Sequence, residues 1–112
     1  MTSDWRNKSL DRRYTERIKA GYKTEIIHGD NIYTGVIENI SASGVNVLTD
    51  PLSPGINFHP DEAIEIKFQA HTGETIILKC TIMWTTKIPP RNVRHRIGLE
   101  IVELPWDKFN LL

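Results

Sequence analysis

Two arginines four residues apart, Arg13 and Arg17, are the first residues of this 112-residue sequence whose types and spacing could do chemistry. On a helical turn both side chains project from the same side, so their guanidinium groups can converge on one ligand. A guanidinium has planar donors that pair bidentately with a phosphate or with the O6 and N7 atoms of guanine. Arg12 directly precedes the pair. By itself, this spacing is also common on solvated helices.

A second motif, Asn39-Ile40-Ser41-Ala42-Ser43-Gly44, places short polar groups where one predicted strand ends and the next begins. The amide of Asn39 has both a donor and an acceptor, which suits an edge of guanine. Gly44 is expected to adopt a backbone conformation that is closed to residues with a Cβ atom. The same residue types also form ordinary β-turns, and the motif alone favours that interpretation.

Groups that could carry out catalysis are missing from the sequence. The four histidines lack the spacing of metal ligands, and no phosphate-binding loop, nucleophile elbow or dinucleotide fingerprint is present. The single cysteine, Cys80, lies in an alternating apolar run and is interpreted as a small buried side chain. We therefore expect no enzymatic activity, no cofactor and no metal site.

Charge is unevenly distributed, although the net charge is zero. Residues 1–23 carry +4 and the rest of the chain carries −4. A basic arm on an acidic body indicates an anionic ligand near the arm, or an arm that rests on the body in solvent. The acidic body argues against a broad DNA-binding surface. Because the sequence has neither a secretory signal nor a long apolar run, we expect a cytoplasmic protein without membrane insertion.

The elements that must position these groups are strands, because the dominant hydrophobic period is two. About six short strands with almost no helix predict an all-β fold that closes into a barrel or a sandwich, because open edges invite aggregation. Of the two, we favour a small antiparallel barrel. The strands are predicted over residues 22–27, 32–40, 45–48, 63–69, 75–84 and 96–102, and proline-rich loops over residues 50–61 and 86–92. The predicted boundaries are a flexible basic arm over residues 1–21, the barrel over 22–104 and a short helical turn over 105–112.

The two polar motifs together resemble the PilZ family. Arg13-x-x-x-Arg17 is followed, after 21 intervening residues, by Asn39-x-Ser41-x-x-Gly44. The resemblance extends over residues 12–104, and Gly98-Leu99-Glu100-Ile101 is similar to the Gly-Val-Glu-Phe type ending of the family's last barrel strand. It implies a six-stranded antiparallel barrel that binds cyclic-di-GMP.

The resemblance also implies roles for the residues of both motifs. Arg13 and Arg17 would hold guanine edges and phosphates from the arm. Asn39 and Ser41 would hold a guanine on the barrel surface, and Gly44 would let the chain approach the base closely.

Two further residues, Arg12 and Trp84, occupy positions that can contact the ligand in similar proteins. An arginine at the position of Arg12 is associated in this family with a stacked ligand dimer. Trp84 ends the predicted fifth strand, where similar proteins can have an aromatic residue against a base. The alternation of its strand places Trp84 with the inward residues, so packing in the core is an equal alternative.

The expected function is that of a cyclic-di-GMP receptor acting on a separate protein partner in motility, pilus or exopolysaccharide control. One alternative is a degenerate PilZ-like adaptor that binds protein and no nucleotide, although such relatives typically lack the motif arginines. The other is a barrel that binds single-stranded nucleic acid, which the acidic body and few aromatic residues disfavour.

Overall fold

A computed structural model describes residues 18–103 of the chain. Within that range the chain forms six strands and no helix. They are β1 (Ile18–His28), β2 (Asn31–Ile40), β3 (Gly44–Thr49), β4 (Ala63–Gln69), β5 (Thr75–Ile88) and β6 (Arg94–Glu103). The predicted helical turn at 105–112, and the predicted arm up to residue 17, lie outside the described residues.

The strands close into one antiparallel barrel in the order β1-β2-β3-β6-β5-β4. Strand β4 returns beside β1, with Lys67 opposite Glu25, and this pairing closes the sheet. The all-β, six-stranded barrel predicted from the sequence is therefore confirmed. Closure pairs both edges of every strand, so no long edge is left open for aggregation.

The strand boundaries follow the alternation of apolar residues except where a neighbouring strand extends them. Strand β4 has the predicted limits, whereas β1 begins at Ile18, four residues before its predicted start. The predicted loop at residues 86–92 is wrong for its first part, because β5 continues to Ile88. Pairing with β6 supports this extension, and two prolines, which cannot donate to a strand ladder, follow it.

Inward side chains from all six strands fill the barrel, and most are branched aliphatic residues. The fully buried members include Ile26, Ile37, Val47, Ile66, Leu78 and Ile97. Cys80 packs among them, as expected, and burial raises the pKa of its thiol to about 12. A thiol held in its neutral form is a packing group rather than a nucleophile.

Phe58 closes the barrel end that is remote from the Asn39–Gly44 motif. It belongs to the connection between β3 and β4 and is only 3% exposed. The rings of His28, Tyr33 and His95 surround it, with centroid distances of 5.1, 5.6 and 5.5 Å. These contacts join the connection to β1, β2 and β6, so one aromatic side chain seals this end of the core.

This closed end is expected to be sensitive to acid. Burial, with a smaller contribution from Lys87, lowers the pKa of His95. The unfolded chain then takes up a proton at a higher pH than the fold does, so stability is lost as the pH falls below about 6.5. Hydrogen bonds from His59 and His28 lower the pKa of Glu62, whose contribution is lost at more acid pH.

We therefore expect the melting temperature to fall between pH 7 and pH 5, and to fall less in a His95→Gln variant. His71→Gln is the matched control, because His71 is exposed and hydrogen-bonds Tyr22 at the other end of the barrel. Thermal melts followed by circular dichroism at several pH values measure how steeply the melting temperature changes with pH in the wild type and in each variant. Equal slopes in the His95→Gln variant and the wild type would contradict the assignment to His95.

Candidate functional site

Four residues from four strands align across the outer face of the barrel. Asn39 of β2 pairs with Asn46 of β3, Asn46 pairs with Gly98 of β6, and Gly98 pairs with Trp84 of β5. We call Asn39, Asn46, Gly98 and Trp84 the outer row. The row lies next to the turn between β2 and β3, so it includes or adjoins most of the predicted site residues in the described part of the chain.

Asn39 reaches the outer face because of a β-bulge at Glu38. The register shifts between Ile37 and Asn39, so Glu38 is an extra residue in β2. Ile37 and Ile40 are both fully buried, whereas Glu38 and Asn39 are both partly exposed. Strict alternation from Ile37 would have turned Asn39 inward, so the bulge is what presents its amide to solvent.

A second bulge, at Met83, does the same for Trp84. Ile82 pairs with Leu99 and Trp84 pairs with Gly98, which leaves Met83 unpaired in the ladder. Met83 is 51% and Trp84 41% exposed. The alternative that Trp84 packs in the core is therefore wrong, because the bulge reverses the alternation and places the indole on the outer surface.

The indole of Trp84 lies directly against the backbone of Gly98. A Cβ atom at position 98 would be only 2.2 Å from the Nε1 and Cε2 atoms of the indole. Only glycine therefore permits this contact, and the indole presents its outer surface to solvent beside Asn46. An exposed indole held in one place is a surface on which a flat ring can stack.

Ser41 shapes the turn between β2 and β3 rather than projecting from it. Its side chain is buried, and its backbone N–H donates to the carbonyl of Gly44 at 2.8 Å. The N–H of Gly44 lies 3.3 Å from the Ser41 hydroxyl, which accepts its hydrogen bond. The Ser41 hydroxyl is thus engaged within the turn and fixes where β3 begins.

Gly44 is the first residue of β3 and pairs with Glu100. Positive φ angles occur instead at four other described glycines, Gly21, Gly29, Gly55 and Gly73. The expectation that Gly44 needs a conformation closed to other residues is therefore wrong. The bend is made by the residues before Gly44, and strand pairing keeps Gly44 itself extended.

A shallow depression of about 680 Å³ adjoins the outer row. Its lining residues are Gly21, Val36, Ile37, Glu38, Asn39, Asn46 and Arg96. Arg96 reaches across β3 to Glu38, with Nε 2.7 Å from Oε1 and Nη2 3.1 Å from Oε2. This bidentate pair raises the pKa of Arg96 and neutralises the charge of Glu38. The depression therefore has walls of mixed polarity and little net charge.

Three of the predicted ligand residues, Arg12, Arg13 and Arg17, lie outside the described residues. The strand that follows them begins at Ile18, which pairs with Ile40 beside the turn.

Sequence reasoning missed four residues of the site: Asn46, Gly98, Arg96 and Glu38. One signal was available, because Asn46 lies between Val45 and Val47 and must face outward if both valines are buried. Its neighbours on the barrel surface depend on strand register, which alternation does not reveal.

The side chains around the outer row are groups that form hydrogen bonds or stack. Residues 18–103 contain no group of three or more side chains suited to hold a metal ion. Amides, an exposed indole and a fixed guanidinium together suit a flat molecule with many hydrogen-bonding atoms. No helix in the described range is long and apolar enough to cross a membrane.

Comparison with known proteins gives a family match over nearly the whole chain. The PilZ domain family matches residues 11–112. Among solved structures, the PilZ domain of CeSA from a cellulose-synthesizing bacterium is 26% identical, with a TM-score of 0.57, and the match covers 86% of this chain and 90% of that domain. No curated protein gave a significant sequence match.

Two further structures, with lower sequence identity to this chain, share the fold. The inhibitor of motility MotI/DgrA from Bacillus subtilis has a TM-score of 0.66 at 21% identity, over 86% of this chain and 46% of its own. The PlzA protein from Borreliella burgdorferi, solved in complex with c-di-GMP, has a TM-score of 0.53 at 14% identity, over 92% of this chain and 50% of its own. This chain thus spans about half the length of either protein.

Proposed function

Because the chain belongs to the PilZ domain family, we propose that it is a receptor for cyclic-di-GMP, a dianionic dinucleotide with two flat guanine bases. The observation that supports this most directly is the outer row, in which Asn39 and Asn46 lie beside the turn from Ser41 to Gly44 and the Trp84 indole lies over Gly98 of the strand next to Asn46. A related fold, PlzA, has been solved with this ligand.

In the sequence, the arginine pair comes directly before β1, whose first residue lies beside the turn. Arg17 directly precedes Ile18, and Ile18 pairs with Ile40 next to the turn. Five residues of extended chain span at most about 18 Å, so Arg13 is tethered within that distance of Ile18. We therefore assign Arg13 and Arg17 to the phosphates and guanine edges, with Arg12 as an additional contact.

Each contact can be given an approximate strength. A hydrogen bond to a charged group contributes about 1.5–3 kcal/mol, and stacking of a base on an aromatic side chain about 1–3 kcal/mol. Two arginines, the amide of Asn39 and the indole of Trp84 then exceed the cost of ordering the arm, and binding is micromolar or tighter. Ser41 acts by holding the turn, and Gly44 by leaving room for the base.

Ligand binding would act by changing the surface that the protein presents. The dinucleotide ties the basic arm to the barrel, and a separate cytoplasmic partner recognises the new arrangement. The resemblance to MotI/DgrA, an inhibitor of motility, supports motility as one output, and the CeSA domain supports exopolysaccharide control as another. The PilZ domain is a ligand-binding domain, and we assign no catalytic step to this chain.

Isothermal titration of the full chain with cyclic-di-GMP tests the proposal. We expect saturable binding with a dissociation constant in the micromolar range or below, and much weaker binding of GTP and of a single-stranded oligonucleotide. No binding at millimolar cyclic-di-GMP would overturn the receptor function and leave the protein-only adaptor. Stronger binding of the oligonucleotide would point to the nucleic-acid alternative.

Trp84→Ala is expected to weaken cyclic-di-GMP binding by about 5- to 100-fold, because one stacking surface worth about 1–3 kcal/mol is lost. The melting temperature should change little, since the indole is on the surface. Gly98→Ala should have a similar effect on affinity, because a Cβ there displaces the indole. Met83→Ala, the exposed neighbour in the same bulge, is the matched control. Equal affinities of the Trp84→Ala and Met83→Ala variants would remove Trp84 from the site.

A further inference from the structure

Asn46 occupies the centre of the outer row but has no role in the motifs found in the sequence. It pairs with Asn39 on one side and with Gly98 on the other. Val45 and Val47, its neighbours along β3, are fully buried, so the Asn46 side chain faces outward. It also lines the depression beside the row.

The Asn46 amide has no hydrogen-bond partner among the side chains and backbone groups of residues 18–103. This contrasts with the nearest charged groups, since Arg96 and Glu38 satisfy each other through two hydrogen bonds. A partly exposed amide of this kind keeps two donors and one acceptor for water or for a ligand. Its hydrogen-bonding capacity is therefore available at the middle of the candidate site.

We infer that Asn46 is a further ligand-binding residue, whose amide hydrogen-bonds the edge of a guanine base. The inference rests on the proposed function and extends it to a residue outside both motifs. Opposite residues on adjacent strands have Cβ atoms about 5 Å apart, so Asn46 and Asn39 can contact the same bound molecule. Gly98, which pairs with Asn46, has no side chain, so the Trp84 indole lies directly over it in the next position of the row.

The presence of asparagine at position 46 is explained by its place in the outer row and not by a contribution to the stability of the strand. Asparagine is depleted in strands, and β-branched residues occupy such positions more favourably. The outward, partly exposed Asn46 of β3 therefore contributes little to the stability of the fold. Replacing it should leave the fold intact and alter only what the outer row can bind.

The test is titration of an Asn46→Ala variant with cyclic-di-GMP. We expect binding about 3- to 10-fold weaker than that of the wild type, the effect of one lost hydrogen bond. Asn46→Asp should weaken binding further, because it places a negative charge against a dianion, and the extra loss should shrink at high salt. The control is Asn57→Ala, an exposed asparagine in the connection between β3 and β4.

Two further readouts distinguish ligand recognition from a general effect on the barrel. The preference for cyclic-di-GMP over cyclic-di-AMP should fall in the Asn46→Ala variant, because the residue contacts a base edge. In the wild type, the side-chain amide resonances of Asn46 should shift on adding cyclic-di-GMP, a measurement that needs no variant to fold. Wild-type affinity and selectivity in the Asn46→Ala variant, with unmoved amide resonances, would overturn the inference. Failure of the wild type to bind would instead overturn the proposed function.

Discussion

A chain with both Arg13 and Arg17 replaced by alanine is expected to lose measurable binding of cyclic-di-GMP, with affinity reduced by more than about 100-fold. Each guanidinium forms hydrogen bonds with a phosphate or a guanine edge that contribute about 1.5–3 kcal/mol apiece. Two such losses together correspond to at least two powers of ten in the dissociation constant. Isothermal titration measures the effect directly, and each single variant should show a part of it.

Two controls accompany the Arg13→Ala, Arg17→Ala double variant: its melting temperature and a second double variant that removes two other positive charges. The two arginines precede the first strand, so the double replacement should leave the melting temperature almost unchanged. Lys87 and Arg91 belong to the β5–β6 hairpin, at the end that Phe58 closes. Their double alanine variant also removes two positive charges and should retain wild-type affinity. If both double variants weakened binding equally, general electrostatic attraction would explain the result, and the arginine assignment would be withdrawn.

Phe58→Ala is expected to destabilise the fold by about 3–5 kcal/mol, the usual effect of deleting a buried aromatic side chain. The ring seals one end of the barrel and contacts His28, Tyr33 and His95, so its removal leaves a cavity that these rings cannot readily fill. A small domain has a total stability of only about 5–15 kcal/mol. Urea unfolding followed by tryptophan fluorescence should show a large fall in the midpoint.

The folded fraction of the Phe58→Ala variant should still bind cyclic-di-GMP normally, because the candidate site lies at the other end of the barrel. Ligand at 100 times its dissociation constant should then raise the free energy of unfolding of this variant by about 2.7 kcal/mol. Ile32→Ala, which shortens an exposed side chain near the same end, is the control and should change stability little. A Phe58→Ala variant as stable as the Ile32→Ala variant would contradict the sealing role.

Local patterns in the sequence were sufficient to predict most of the fold. Ile64, Ile66 and Phe68 alternate with polar residues, and a strand that is half buried requires that pattern. The turn with Gly73 then predicts a hairpin, because its positive φ is easily adopted by glycine. Each of these features depends on residues close together in the chain, and so it can be read before any tertiary contact is known.

The site was only partly predictable, because three of its features depend on pairing between strands. The bulge at Glu38 turns Asn39 outward, and the bulge at Met83 turns Trp84 outward, against the alternation of their own strands. A bulge is an extra residue relative to a partner strand, so it has no definition within one strand. The requirement for glycine at position 98 likewise follows only from the tertiary contact with the Trp84 indole.

By itself, the sequence determined the number of strands, most of the inward residues and the two polar motifs, because hydrophobic period and residue chemistry are local properties. Only the tertiary structure decided that Asn39, Asn46, Gly98 and Trp84 form one row, since four strands must pair in one register to bring them together. Register depends on the closure of the whole barrel, where a shift of a single residue would exchange the inner and outer faces.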